Sequence, residues 1–103
     1  MSNFCYSTIT MVDGSTINKE IMDFILEKWD AISRIKETPI SGAKEVYISS
    51  FLSQSVGDFL SELPLKSDGI KLVYVSDLDM EEAHTAISKN KEWEEIAESS
   101  PQE

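Results

Sequence analysis

The sequence predicts an α+β fold, a small two-layer sandwich whose sheet of three or more strands carries its helices on one face. Three observations predict it. Short runs rich in β-branched and aromatic residues recur at Phe4–Val12, Glu45–Phe51 and Ile70–Val75. Stretches with apolar residues at helical spacing follow each of them. Glycine, proline and Asp-Gly or Ser-Asp-Gly signals stand at the junctions. At 103 residues, 41% hydrophobic, the chain has material for one core shared by every element. One domain over residues 1–97 is therefore expected, with a frayed acidic tail from Glu98 to Glu103.

The first strand, residues 4–12, ends at the turn Asp13-Gly14-Ser15. Ser15 or Thr16 then caps a long helix in which Ile17, Ile21, Phe24, Ile25, Trp29, Ile32 and Ile35 form one apolar stripe, widened by Met22 and Leu26. Pro39 and Gly42 interrupt it. Strand two, residues 45–51, places Val46 and Ile48 on one face and Tyr47 and Phe51 on the other. Ser53 or Ser55 caps a second helix carrying Val56, Phe59, Leu60 and Leu63, and Pro64 is expected to end it. After Ser67-Asp68-Gly69 comes strand three, apolar enough for a central place. Asp79 and Glu82 read as a capping box opening a third helix with Met80, Ala83, Ala86, Ile87, Trp93 and Ile96 inward, and a break near Ser88 to Asn90. The helix-bearing link between strands one and two is also long enough for a parallel crossover.

Charge is the feature with functional weight. The net charge is -10, and residues 77–103 hold nine acids against Lys89 and Lys91, whereas residues 1–76 hold ten acids and seven bases. Such a surplus repels nucleic acid and anionic membranes at long range and matches a basic protein surface. On a continuous third helix, the groups Asp77, Asp79, Glu81, Glu82 and Glu92, Glu94, Glu95, Glu98 would stand about 15 Å apart. Fixed carboxylates at that separation could occupy the basic groove of a nucleic-acid-binding protein by mimicking phosphates, although a solvated charged face explains the same pattern. Trp93, among the glutamates, is either an interface anchor or a core residue.

Catalytic and cofactor chemistry finds little support. Cys5 and His84 are the sole members of their types, so no intrachain disulfide or ordinary zinc site can form, and no orienting motif makes them a nucleophile and base. Asp77-x-Asp79-x-Glu81 imitates the start of a calcium loop, but Glu82 stands where glycine is needed and Ser88 where a bidentate glutamate is needed. At most, Asp77, Asp79 and Glu81 would hold a divalent ion weakly. The four glycines stand alone, without a phosphate-cradling loop. No apolar run is long enough to span a bilayer and no leader pattern opens the chain, so a cytoplasmic place is expected.

Met1-Ser2-Asn3-Phe4-Cys5, followed by alternating Thr8, Ile9, Thr10 and Met11, resembles the opening of the YubB ferredoxin-like family of phage and plasmid proteins. The segment from Ile48 to Val75 resembles that family's strand, helix and strand. The resemblance implies a ferredoxin-like sheet and a mobile-element origin, and it brings no catalytic residues. Together with the charge, it leads to the expectation of a non-enzymatic phage inhibitor that binds a basic nucleic-acid-handling host defence protein in the host cytoplasm. An immunity-type antitoxin against a basic nuclease is the alternative, and a weak divalent-metal-binding regulator a third.

Overall fold

A computed structural model of the chain describes residues 4–51, 53–76 and 79–96. The elements run β1 (Phe4–Met11), α1 (Lys19–Ile32), β2 (Glu45–Phe51), α2 (Gln54–Lys66), β3 (Ile70–Ser76), β4 (Asp79–Lys89) and β5 (Glu92–Ile96). They form a two-layer α+β sandwich, a five-stranded sheet in the order β2-β1-β3-β4-β5 with the two helices packed on it.

Every neighbouring pair of strands is antiparallel. The parallel crossover between strands one and two is thus not used. β2 and β3 run in the same direction with β1 between them, the split β-α-β arrangement that ferredoxin-like folds share. Alternation along the strands then sorts side chains to two faces. Cys5, Ser7 and Ile9 of β1 face the helices, opposite Ser50, Ile48 and Val46 on one side and Ser76, Tyr74 and Leu72 on the other.

The core is a single cluster. Ile9, Val46, Ile48, Ile70 and Leu72 from the sheet meet Ile21, Met22, Phe24, Ile25, Trp29 and Ile32 of α1 and Val56, Phe59 and Leu63 of α2. Phe24 and Phe59 stack between the helices with centroids 5.1 Å apart.

α1 starts later than its apolar pattern suggested. Asn18, not Ser15 or Thr16, is the N-cap, and its Oδ1 accepts the Ile21 N–H at 2.9 Å. Ile17 and Met22, both buried, occupy the flanking positions of a hydrophobic staple. Asn18 Nδ2 also donates to Ser67 Oγ at 3.3 Å, tying the start of α1 to the end of α2. Asn18→Ala is therefore expected to cost about 1 kcal/mol, measured by urea denaturation. The helix ends at Ile32, so Ile35 lies beyond it and accepts the Trp29 indole N–H through its carbonyl at 2.8 Å. Leu26, read as part of the inward stripe, is 37% exposed.

Two expectations about the second half are corrected. Pro64 does not end α2, which continues to Lys66 with Ser53 as its N-cap. A proline has no N–H for the carbonyl four residues earlier, here that of Leu60. The Trp93 indole N–H supplies a donor instead, at 2.6 Å.

The larger correction concerns residues 79–96, which form the hairpin β4–β5 and not a third helix. The expected break near Ser88 to Asn90 is the point of reversal. Asn90 and Lys91 take φ of 55° and 66°, the left-handed pair that a two-residue hairpin loop requires. Tertiary demand overrides the helical spacing. Without β4, the apolar strand β3 would expose an unpaired edge, and the β-branched Thr85 and Ile87 suit the strand that covers it.

Candidate interaction site on the β4–β5 hairpin

The register of the hairpin divides the residues that the sequence grouped together. Glu92, Glu94 and Ile96 lie on the outer face, opposite Lys89, Ile87 and Thr85. Trp93 and Glu95 lie opposite Ser88 and Ala86, on the face that carries the helices. The carboxylates therefore form no continuous helical row, and the spacing of about 15 Å along a helix axis does not exist. Asp79, Glu81 and Glu82 belong to β4, but their side chains, like Asp77 and Glu98 entirely, lie outside the described residues.

Between α2 and the hairpin, on the inner face, lies a groove of about 400 Å³. Leu72 and Ala86, both buried, supply its floor, and Leu60, Tyr74, Trp93 and Glu95 line the remainder. Two details hold its shape. Trp93 is half-buried against the edge of the core and fixed by its bond to the Leu60 carbonyl. Tyr74 stacks on His84 with centroids 5.1 Å apart, and its hydroxyl donates to Glu95 Oε2 at 3.2 Å. His84 Nδ1 stands 3.9 Å from the same oxygen. Pairing the core-facing parity of β3 with a hairpin reading of residues 79–96 would have brought these residues together from sequence. The helical reading separated them.

Burial first, and then the bond to Glu95 and its charge, raise the Tyr74 phenol above its ordinary value of 10.0. The native state thus holds this proton more tightly than the unfolded chain. The contribution to stability is complete below about pH 10 and is lost as pH rises through the higher native value. Denaturation of the protein and of Tyr74→Phe from pH 9 to 11 should show the wild-type advantage shrinking above about pH 10. A difference independent of pH would contradict this linkage.

Elsewhere the acids are spread over the surface. α1 exposes Glu20, Asp23, Glu27 and Asp30 at helical spacing, a stripe that the concentration of acids near the C-terminus does not reveal, and α2 exposes Asp58 and Glu62. Among the described residues, the one carboxylate paired with a lysine or arginine is Asp23, 2.7 Å from Lys19. That pair raises the Lys19 pKa through the hydrogen bond and the charge of Asp23.

Cys5 is buried, with Sγ 3.8 Å from Ser7 Oγ, the setting of a small core residue. Among the described residues, no group of three or more His, Cys, Asp or Glu could hold a metal ion, and no helix is long and apolar enough to cross a membrane. Comparison of the chain with protein-family models, curated proteins and solved structures returned no match.

Proposed function

We propose that this protein is a non-enzymatic acidic binding module that engages a basic surface on another protein. The observation that carries the reading is the excess of exposed carboxylates without basic partners. A net charge of -10 rests on 19 acids and nine bases, and one described acid pairs with a lysine or arginine. Such a field speeds encounter with a positive partner and repels phosphate backbones and anionic lipid. Its finer form is inhibition by charge mimicry, in which either Glu92 and Glu94 on the outer face of the hairpin or the exposed acids of α1 on the helix side occupy a groove that a host defence protein uses for nucleic acid. The resemblance of residues 1–11 and 48–75 to a phage and plasmid family supports a mobile-element setting for that role.

The hairpin acids have a second effect that fits the same reading. β5 is an edge strand, and charged residues on an edge discourage pairing with further strands. Recognition would then run through side chains and not through strand addition.

The test is capture of host proteins on the immobilised chain at about 50 mM and 500 mM salt, a range over which exposed charges become strongly screened. A basic protein should be retained at low salt and released at high salt. Glu20→Gln, Glu27→Gln and Asp30→Asn together, or Glu92→Gln with Glu94→Gln, should weaken its binding about tenfold or more. Undiminished affinity in both neutralised variants would end the proposal.

A further inference from the structure

We propose that the groove between α2 and the β4–β5 hairpin is a receptor for one arginine side chain of the basic partner. This deepens the binding-module reading and rests on it. The groove has the ingredients that recognise a flat cation. Tyr74 and Trp93 supply aromatic surface, Leu60, Leu72 and Ala86 supply an apolar bed for the side-chain stem, and Glu95 supplies the charge. Its volume of about 400 Å³ lies near the lower end of the range for ligand pockets, suited to one side chain and not to a large cofactor.

Charge complementarity identifies the occupant. Glu95 Oε2 is held by the Tyr74 hydroxyl at 3.2 Å, with His84 Nδ1 at 3.9 Å, so the carboxylate is oriented before any ligand arrives. Among the described residues, no lysine or arginine pairs with it. The contacts on the carboxylate are the Tyr74 hydroxyl and, at 3.9 Å, the His84 ring, and with 63% of its side chain exposed it can still take a partner with a permanent positive charge. A guanidinium provides that charge, donates in a planar fork and stacks on aromatic rings, whereas an ammonium acts as a more strongly hydrated point charge. Aromatic walls add cation–π attraction that strengthens with loss of water. The arrangement favours arginine over lysine.

The groove also explains why one glutamate of the hairpin faces inward. Glu92 and Glu94 contribute to the outer field, while Glu95 shares its face with Trp93. Long-range attraction and local capture are thereby assigned to different residues, and different substitutions separate them.

The probe is butylguanidinium chloride at millimolar concentration, titrated into nitrogen-15-labelled protein. The Trp93 indole N–H reports the groove, and that of Trp29, buried and bonded to Ile35, is an internal reference. The Trp93 resonance should shift saturably while Trp29 stays in place. Butylammonium should bind several-fold more weakly, and neutral butylurea should cause no saturable shift. Glu95→Gln should raise the midpoint about tenfold, while Glu92→Gln with Glu94→Gln should leave it within about twofold. An unchanged Trp29 resonance in each variant shows that the fold persists. Absence of a saturable Trp93 shift, or equal binding by the Glu95→Gln protein, overturns the receptor. The salt-sensitive capture of a partner is a separate measurement, so an empty groove with capture intact removes the arginine site alone.

Discussion

Ser88→Ala is expected to lower stability by about 2–4 kcal/mol, although it removes a single oxygen. Ser88 is 1% exposed, and its hydroxyl accepts the Ile70 N–H at 2.8 Å and donates to the Ser67 carbonyl at 2.8 Å. Ile70 is fully buried, so in the variant its N–H gains no access to water and bears the full cost of desolvation. The Ser67 carbonyl, at the end of α2, loses its donor as well. Gly69 between them has φ of 81° and donates its own N–H to the Ser88 carbonyl, so one residue of β4 fastens the whole approach to β3. For a domain of this size about 5–15 kcal/mol is available, and a melting temperature reduced on the order of 10–25 °C should follow. The amide of Ile70 should also lose protection from hydrogen exchange beyond the global loss. A change below about 0.5 kcal/mol would show that the buried N–H is satisfied by other means.

The three strands of the first 76 residues were legible because runs rich in β-branched and aromatic residues stand beside glycine or proline turn signals, with a period-two alternation at strand two. Val46 and Ile48 are buried while Tyr47 is 50% exposed, as the alternation requires. Both early helices were legible too, since Phe24, Ile25, Phe59 and Leu63 satisfy a 3.6-residue period and reach one core. Residues 79–96 were misread for an identifiable reason. Met80, Ala83, Ala86 and Ile87 also fit helical spacing, and Asp79 with Glu82 imitates a cap, so local preference pointed to a helix. The choice depends on an edge of β3 that becomes apparent once the other elements are assembled. Asn90 was the available local clue, because asparagine tolerates the left-handed conformation and Lys89-Asn90-Lys91-Glu92 could have been read as a hairpin turn.

The candidate site suffered from the same error. Glu92, Glu94 and Glu95 are exposed, but grouping them on one side assumes a helical face. On a strand, neighbours in sequence point to opposite sides, which sends Glu95 to Tyr74 and His84 and leaves Glu92 and Glu94 outside. Trp93 was weighed as either a core residue or an anchor. It packs at the edge of the core and lines the groove, so burial and accessibility meet in one side chain.

Trp93→Phe is expected to cost about 1–3 kcal/mol in the wild-type background and distinctly less when residue 64 is alanine. Pro64 has no N–H to give to the Leu60 carbonyl. Trp93 reaches across from β5 and donates to that oxygen at 2.6 Å, so phenylalanine would fill most of the same space yet leave the carbonyl without this donor. In Pro64→Ala, the restored N–H at residue 64 can close the helical bond to Leu60, and the indole is no longer needed there. A double-mutant cycle over the two positions should then give a coupling of about 1 kcal/mol, with the damage from Trp93→Phe relieved by Pro64→Ala. Equal costs in both backgrounds would show that Trp93 stabilises by packing alone. The sign matters for the groove, since a tryptophan held by this bond keeps its ring fixed beside Tyr74 and Glu95. Loss of the coupling would therefore predict a mobile indole and a wall that forms when a ligand arrives.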